Sequence, residues 1–92
     1  MTAENKKQEE SVRKIRIHVQ SAQEVTFAGE ADFIQAPGRE GVLGITPEHT
    51  KMVSLLREGD IVVTDEGKEK RIPVTEGLLQ VNRDCVDILI SK

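Results

Sequence analysis

"IVVTDEGKEKRIPVT", residues 61–75, places two runs rich in β-branched residues around a polar centre. Ile61-Val62-Val63-Thr64 and Arg71-Ile72-Pro73-Val74-Thr75 are strand-forming, because branched side chains fit a pleated surface. Asp65-Glu66-Gly67-Lys68 between them has the turn chemistry of a β-hairpin. Pro73 has no N–H for a ladder and marks a sheet edge or a bulge. The fold is therefore expected to be built from short antiparallel strands.

The same grammar continues in both directions. Downstream, Leu78-Leu79-Gln80-Val81 and Cys85-Val86-Asp87-Ile88-Leu89-Ile90 flank a second tight turn, Asn82-Arg83-Asp84. Upstream, Ile15, Ile17 and Val19 alternate with Arg16, His18 and Gln20, the period of a half-buried strand. Val25 and Phe27 extend that pattern, and Ala28-Gly29-Glu30 reads as a turn. Ala31 and Phe33 follow on one face, so both aromatics, Phe27 and Phe33, are expected in the core. Val42-Leu43-Gly44-Ile45 reads as a short buried strand ended by Pro47. From Thr50 to Arg57 the apolar residues Met52, Val53, Leu55 and Leu56 suit a helical turn as well as a strand. Short strands with frequent turn signals point to an all-β fold, a small sandwich or barrel.

Composition sets the limits. Ninety-two residues make one domain at most. Residues 1–14 contain seven charged residues and only Met1, Ala3 and Val12 as apolar ones, so they are expected to form a flexible charged tail. Residues 15–92 are expected to fold. They carry nine basic and thirteen acidic residues. A net negative domain without aromatic platforms argues against nucleic acid as partner. Cys85 is the only cysteine, which excludes an internal disulfide. The apolar runs are far shorter than the roughly 20 residues that span a bilayer. No signal or transit peptide is apparent.

The segment Ala36 to Thr50, "APGREGVLGITPEHT", was tested for chemistry. Gly38, Gly41 and Gly44 recur every third residue, but no Lys-Ser/Thr pair follows, so a phosphate loop is not expected. They are read instead, with Gly77, as turn-forming glycines in positive-φ or crowded positions. His18, His49 and Cys85 are too dispersed for a zinc site. Glu48-His49 is the best acid–base pair, yet no third group orients the imidazole. No catalytic, metal or cofactor site is expected.

A longer match appears once these pieces are taken in order. Ser21-Ala22, Phe27-Ala28-Gly29, Gly38 through His49, Leu56 to Gly59, and Glu76-Gly77-Leu78-Leu79-Gln80-Val81 succeed one another from Ile15 to Ile90. The set resembles the amino-terminal domain of the epsilon subunit of F-type ATP synthase, called delta in mitochondria. The most specific element is the glycine triplet followed by Pro47-Glu48-His49. This chain departs from the family pattern at Val42, at Thr50-Lys51, at Glu76 and in the hairpin around Gly67.

The resemblance implies a flattened β-sandwich of about ten strands in two sheets. It implies a non-catalytic rotor part, seated on the cytoplasmic face of the bacterial inner membrane through its complex. There it would fasten the gamma subunit to the c-ring during proton-driven ATP synthesis. By position, Arg39, Glu40, Gly41, Val42, Glu48 and His49 would face the ring, and Thr50 and Ser54 would face gamma. Family members continue into a helical pair that can restrain ATP hydrolysis. This sequence ends at Lys92, so neither that role nor a nucleotide site is expected within it. The alternative is a PDZ-like peptide module, with Gly41-Val42-Leu43-Gly44 as its carboxylate loop. A hydrolase built on Glu48-His49 ranks last, because no complete set of catalytic roles can be assembled.

Overall fold

The computed structural model describes residues 14–47 and 49–91, leaving aside the side chain of His49. The expected tail from residue 1 to 13 lies outside that range. Nine strands follow in chain order: β1 Ile15–Gln20, β2 Val25–Ala31, β3 Phe33–Gly38, β4 Gly41–Ile45, β5 His49–Leu56, β6 Gly59–Asp65, β7 Lys68–Val74, β8 Gly77–Arg83 and β9 Cys85–Ile90. They form one curled sheet in the order β2-β1-β9-β8-β5-β3-β6-β7, with β4 attached to β3. Folded over on itself, the sheet is a β-sandwich. No helix occurs among the described residues.

Period-2 alternation decides which face is inside. Ile15, Ile17 and Val19 of β1, Ile34 and Ala36 of β3, Ile61 and Val63 of β6, Leu79 and Val81 of β8, and Val86, Ile88 and Ile90 of β9 are all buried. Each fully buried aliphatic side chain of this size contributes roughly 1.5–3 kcal/mol of transfer free energy. The core is thus aliphatic and built by register. β1 runs parallel to β9, with Ile17 opposite Val86, while every other pairing is antiparallel.

The opening stretch folds as its residues dictate. β6 and β7 pair from Gly59–Val74 to Asp65–Lys68, leaving only Glu66 and Gly67 in the turn. Both have positive φ, 53° and 81°, the backbone a tight hairpin demands at its two central positions. Pro73 lies in β7, the last strand of the sheet order, where a missing donor is tolerated.

Three local readings need correction, and one left open is decided. Ala28-Gly29-Glu30 is no turn: it lies within β2, paired to β1 residue for residue. Ladder pairing overrides the turn preference of Gly29, and the Phe27 ring packs over the space the glycine leaves. The chain bends at Asp32 instead. Phe33 is 36% exposed rather than core, because Ile34 and Ala36 take the inward positions of β3. Ala31 is buried, so the two do not share a face. Phe27 is half-buried at the edge of the core, with the Lys70 ammonium 5.7 Å from its ring centre. β4 pairs only with β3, and in it Val42 is 64% exposed while Ile45 alone is fully buried. The ambiguous segment at Thr50 is strand β5, fixed by its ladder to β8.

One end of β3 is tied down by charge. The Lys14 ammonium sits 2.9 Å from the Asp32 carboxylate and is bonded to that of Asp65, with Glu66 at 3.6 Å. Asp32 also accepts the Glu66 backbone N–H at 2.7 Å. The Asp65 and Asp32 hydrogen bonds raise the Lys14 ammonium above the ordinary lysine range. The Glu66 N–H, and then Lys14, hold the Asp32 carboxyl below its ordinary value. These contacts join the start of β1, the β2–β3 bend and the β6–β7 turn.

Candidate interaction surface

At the other end of β3 the structure opens. Gly38 pairs with Gly41, so Arg39 and Glu40 alone form the tip of the β3–β4 hairpin. The tip requires a residue without a side chain at Gly38: an added Cβ would lie 2.5 Å from the Gly41 carbonyl oxygen. Gly44 lies inside β4, and Gly77 opens β8 against Ile90. The hairpin end is moored to β5 by two backbone bonds: the Arg39 N–H donates to the Leu55 carbonyl, and the Arg57 N–H donates to that of Pro37, both at 2.9 Å.

Beyond those bonds the hairpin and β5 part, leaving a groove of about 540 Å³. Gly38 to Leu43 line one side and Met52 to Leu55 the other. Arg39, Glu40, Gly41, Val42 and Ser54 are thereby brought to one place. Thr50 is exposed and lies outside that lining. Glu48 and the His49 side chain fall outside the described residues. Ser54 shares the side of β5 occupied by Met52 and buried Leu56, and its hydroxyl donates to the Leu55 carbonyl at 3.3 Å.

A set of residues missed in the sequence lies on the opposite side of the same strand. Val53 is 63% exposed, and Leu55, Leu78 and Leu89 are also open to solvent. Leu55 pairs with Leu78, and Leu78 with Leu89, so three leucines run straight across β5, β8 and β9. Apolar side chains in such a row signal a contact surface rather than isolated exposure. The doublets Leu55-Leu56 and Leu78-Leu79 were the available signal: in a strand, one member of each must point outward.

No group of three potential metal ligands occurs among the described residues. Cys85 is half-buried, and the Arg16 guanidinium donates to its sulfur at 3.3 Å. Ser21, the one buried polar residue described, accepts the Gln23 and Glu24 N–H groups and shapes the turn after β1. The PDZ-like alternative finds no support, since the groove it requires is lined by a helix.

Comparison with known proteins agrees with this architecture. Residues 14–92 match the family model for the ATP synthase, Delta/Epsilon chain, beta-sandwich domain. The ATP synthase epsilon chain of Bordetella petrii is 42% identical over 76 residues, 82% of this chain and 54% of that protein. That of Polaromonas naphthalenivorans is 41% identical over 76 residues, with 82% and 55% covered. The chain therefore spans about half the length of the curated relatives it matches. Among solved structures, the Euglena gracilis mitochondrial ATP synthase assembly of OSCP, F1 and c-ring contains a chain similar at TM-score 0.79 and 25% identity. That match covers 85% of this chain and 51% of the other. The central stalk and c-ring of the Tetrahymena thermophila enzyme contains another at TM-score 0.68 and 17% identity, covering 86% and 64%, a likeness of fold. With its ordered motifs, nine-stranded sandwich and family match in accord, the chain belongs to the ATP synthase delta/epsilon family, of which residues 14–92 form the β-sandwich domain.

Proposed function

We propose that this domain is a non-catalytic rotor element of an F-type ATP synthase, fastening the gamma subunit to the c-ring on the cytoplasmic face of a bacterial inner membrane. It holds no active site and no cofactor of its own, and it meets the membrane only through the complex. The observation that carries the reading is the leucine row across β5, β8 and β9, an apolar surface that a lone acidic domain has no reason to expose. A chain of similar fold lies in an assembly of OSCP, F1 and c-ring, which supports a partner there.

The surface divides by chemistry. Leu55, Leu78 and Leu89, with Val53, form the face for gamma; Thr50 and Ser54 lie on the same strand, Ser54 on its groove side, and are proposed as further contacts with gamma. The hairpin tip, Arg39 to Val42, with Glu48 and His49, meets the polar loops of the ring. Torque passes between two partners held on one rigid sheet. Co-elution of the 92-residue chain with purified gamma subunit on size exclusion tests this. A one-to-one complex is expected. Leu78→Asp should weaken it at least about tenfold by placing a charge in the apolar centre, while Lys68→Ala on the far hairpin leaves it intact. Separate elution of the unmodified pair at micromolar concentration overturns the reading.

A further inference from the structure

The groove beside the hairpin tip has one wall of a particular kind: an open strand edge, that of β5. Leu55 gives its carbonyl to Arg39 of the hairpin, so its backbone groups point away from β8. The register from Met52 to Leu56 is regular, and Val53 therefore points its N–H and C=O the same way. By Val53, however, the hairpin has already diverged, and no backbone partner for that residue occurs among the described residues. The outer edge of β4 is open as well, on the side of the hairpin away from β5. Pro37 gives its carbonyl to Arg57, away from β4, so the pair Pro37–Val42 exchanges no bonds. Val42, and Gly44 two residues on, turn their backbone groups outward from β4, which pairs with β3 alone.

We infer that this groove receives an extended segment of the gamma subunit, which adds to the sheet as a further strand along the β5 edge at Val53. The inference rests on the rotor reading and deepens it by naming how the partner is held. Unpaired N–H and C=O groups along an edge are a template for a strand and for little else. The floor of the groove contains half-buried Leu43 and Met52, which pack against the core, so alternate residues of the entering strand are apolar. Its rim carries Arg39, with Lys51 next on the exposed side of β5, against Glu40. Neither cation has a carboxylate partner among the described residues. Arg39 at the rim and Lys51 farther along β5 suit a segment with a carboxylate at one end. The groove also joins the leucine face to the hairpin tip, because Leu55 and Arg39 border both.

Proline at position 53 isolates the backbone contribution. It deletes the N–H that faces the groove and spares the bonds to β8, which Val53 does not make. Val53→Thr keeps the N–H and the branched shape. Affinity for purified gamma subunit should be about tenfold or more lower in Val53→Pro than in Val53→Thr, which carries any loss from replacing the valine side chain while keeping the N–H. Amide hydrogen exchange of the unmodified complex is the second readout, and it holds even if the proline variant misfolds. The Val53 amide should become protected on binding gamma. Equal affinity of a folded Val53→Pro and Val53→Thr, or an unprotected Val53 amide in the complex, overturns strand addition. If either occurs while Leu78→Asp still weakens the complex, the rotor reading stands and only this inference falls. No complex at all removes both.

Discussion

The two ends of β3 teach opposite lessons. At Asp32 the strand begins inside a knot of contacts, with Lys14, Asp65 and the Glu66 N–H all on one carboxylate or beside it. At Gly38 the strand ends in a hairpin tip moored to β5 by two backbone bonds, with open edges beyond. The first end satisfies its polar groups within the domain. The second leaves backbone donors, acceptors and apolar side chains for something else. Internal ties and the proposed binding are thus divided along one six-residue strand.

Three changes would break or sharpen that contrast. The largest effect is expected at the open end. Gly38→Ala brings a Cβ to 2.5 Å from the Gly41 carbonyl and 2.9 Å from the Leu43 side chain. Overpacking against backbone should cost about 1–3 kcal/mol in denaturant unfolding and lower gamma affinity as the tip shifts. An unchanged unfolding midpoint would mean that the tip is not held by this close approach. The tied end should respond next. Gly67→Ala forces an alanine to φ near 81°, although a Cβ there meets nothing within 4 Å, so the cost is pure backbone strain of about 1 kcal/mol. It should leave gamma binding untouched, which separates the two ends.

The smallest effect belongs to the ion pairs, which are exposed. Asp32 titrates below its ordinary value in the folded chain, so its contribution is present above the unfolded carboxyl pKa of about 4 and disappears as pH falls below that. Lys14 is raised, so its contribution is complete below about pH 10 and is lost only in stronger alkali. Lys14→Met should therefore lower the melting temperature slightly at pH 7 and low salt, less in high salt, and progressively less as pH falls below about 4. A salt-independent loss would assign Lys14 a packing role rather than an electrostatic one.

Much of the architecture was legible because local rules met no opposition. The hairpin at Glu66-Gly67, the alternation of Ile15, Ile17 and Val19, and the edge position of Pro73 follow from backbone sterics and side-chain period. Gly29 misled because a ladder partner is invisible in the sequence, and pairing to β1 outweighed its turn preference. Phe33 misled because hydrophobicity alone does not say which of two neighbouring residues faces inward; Ile34 took the place. The site divided in the same way. Arg39 to Val42 are candidates by the family resemblance alone, whereas the row Leu55–Leu78–Leu89 exists only across three strands brought into register.

By itself, then, the sequence determined that this chain is a small, acidic, all-β domain of a recognisable family, since period, turn chemistry and ordered motifs are properties of neighbours along the chain. Only the tertiary structure decided which leucines face water and which strand edges stay unpaired. Both depend on residues far apart in sequence: pairing Leu55 with Leu78, or ending the β3–β5 ladder at Gly38, is a choice made between segments, and no local pattern encodes it.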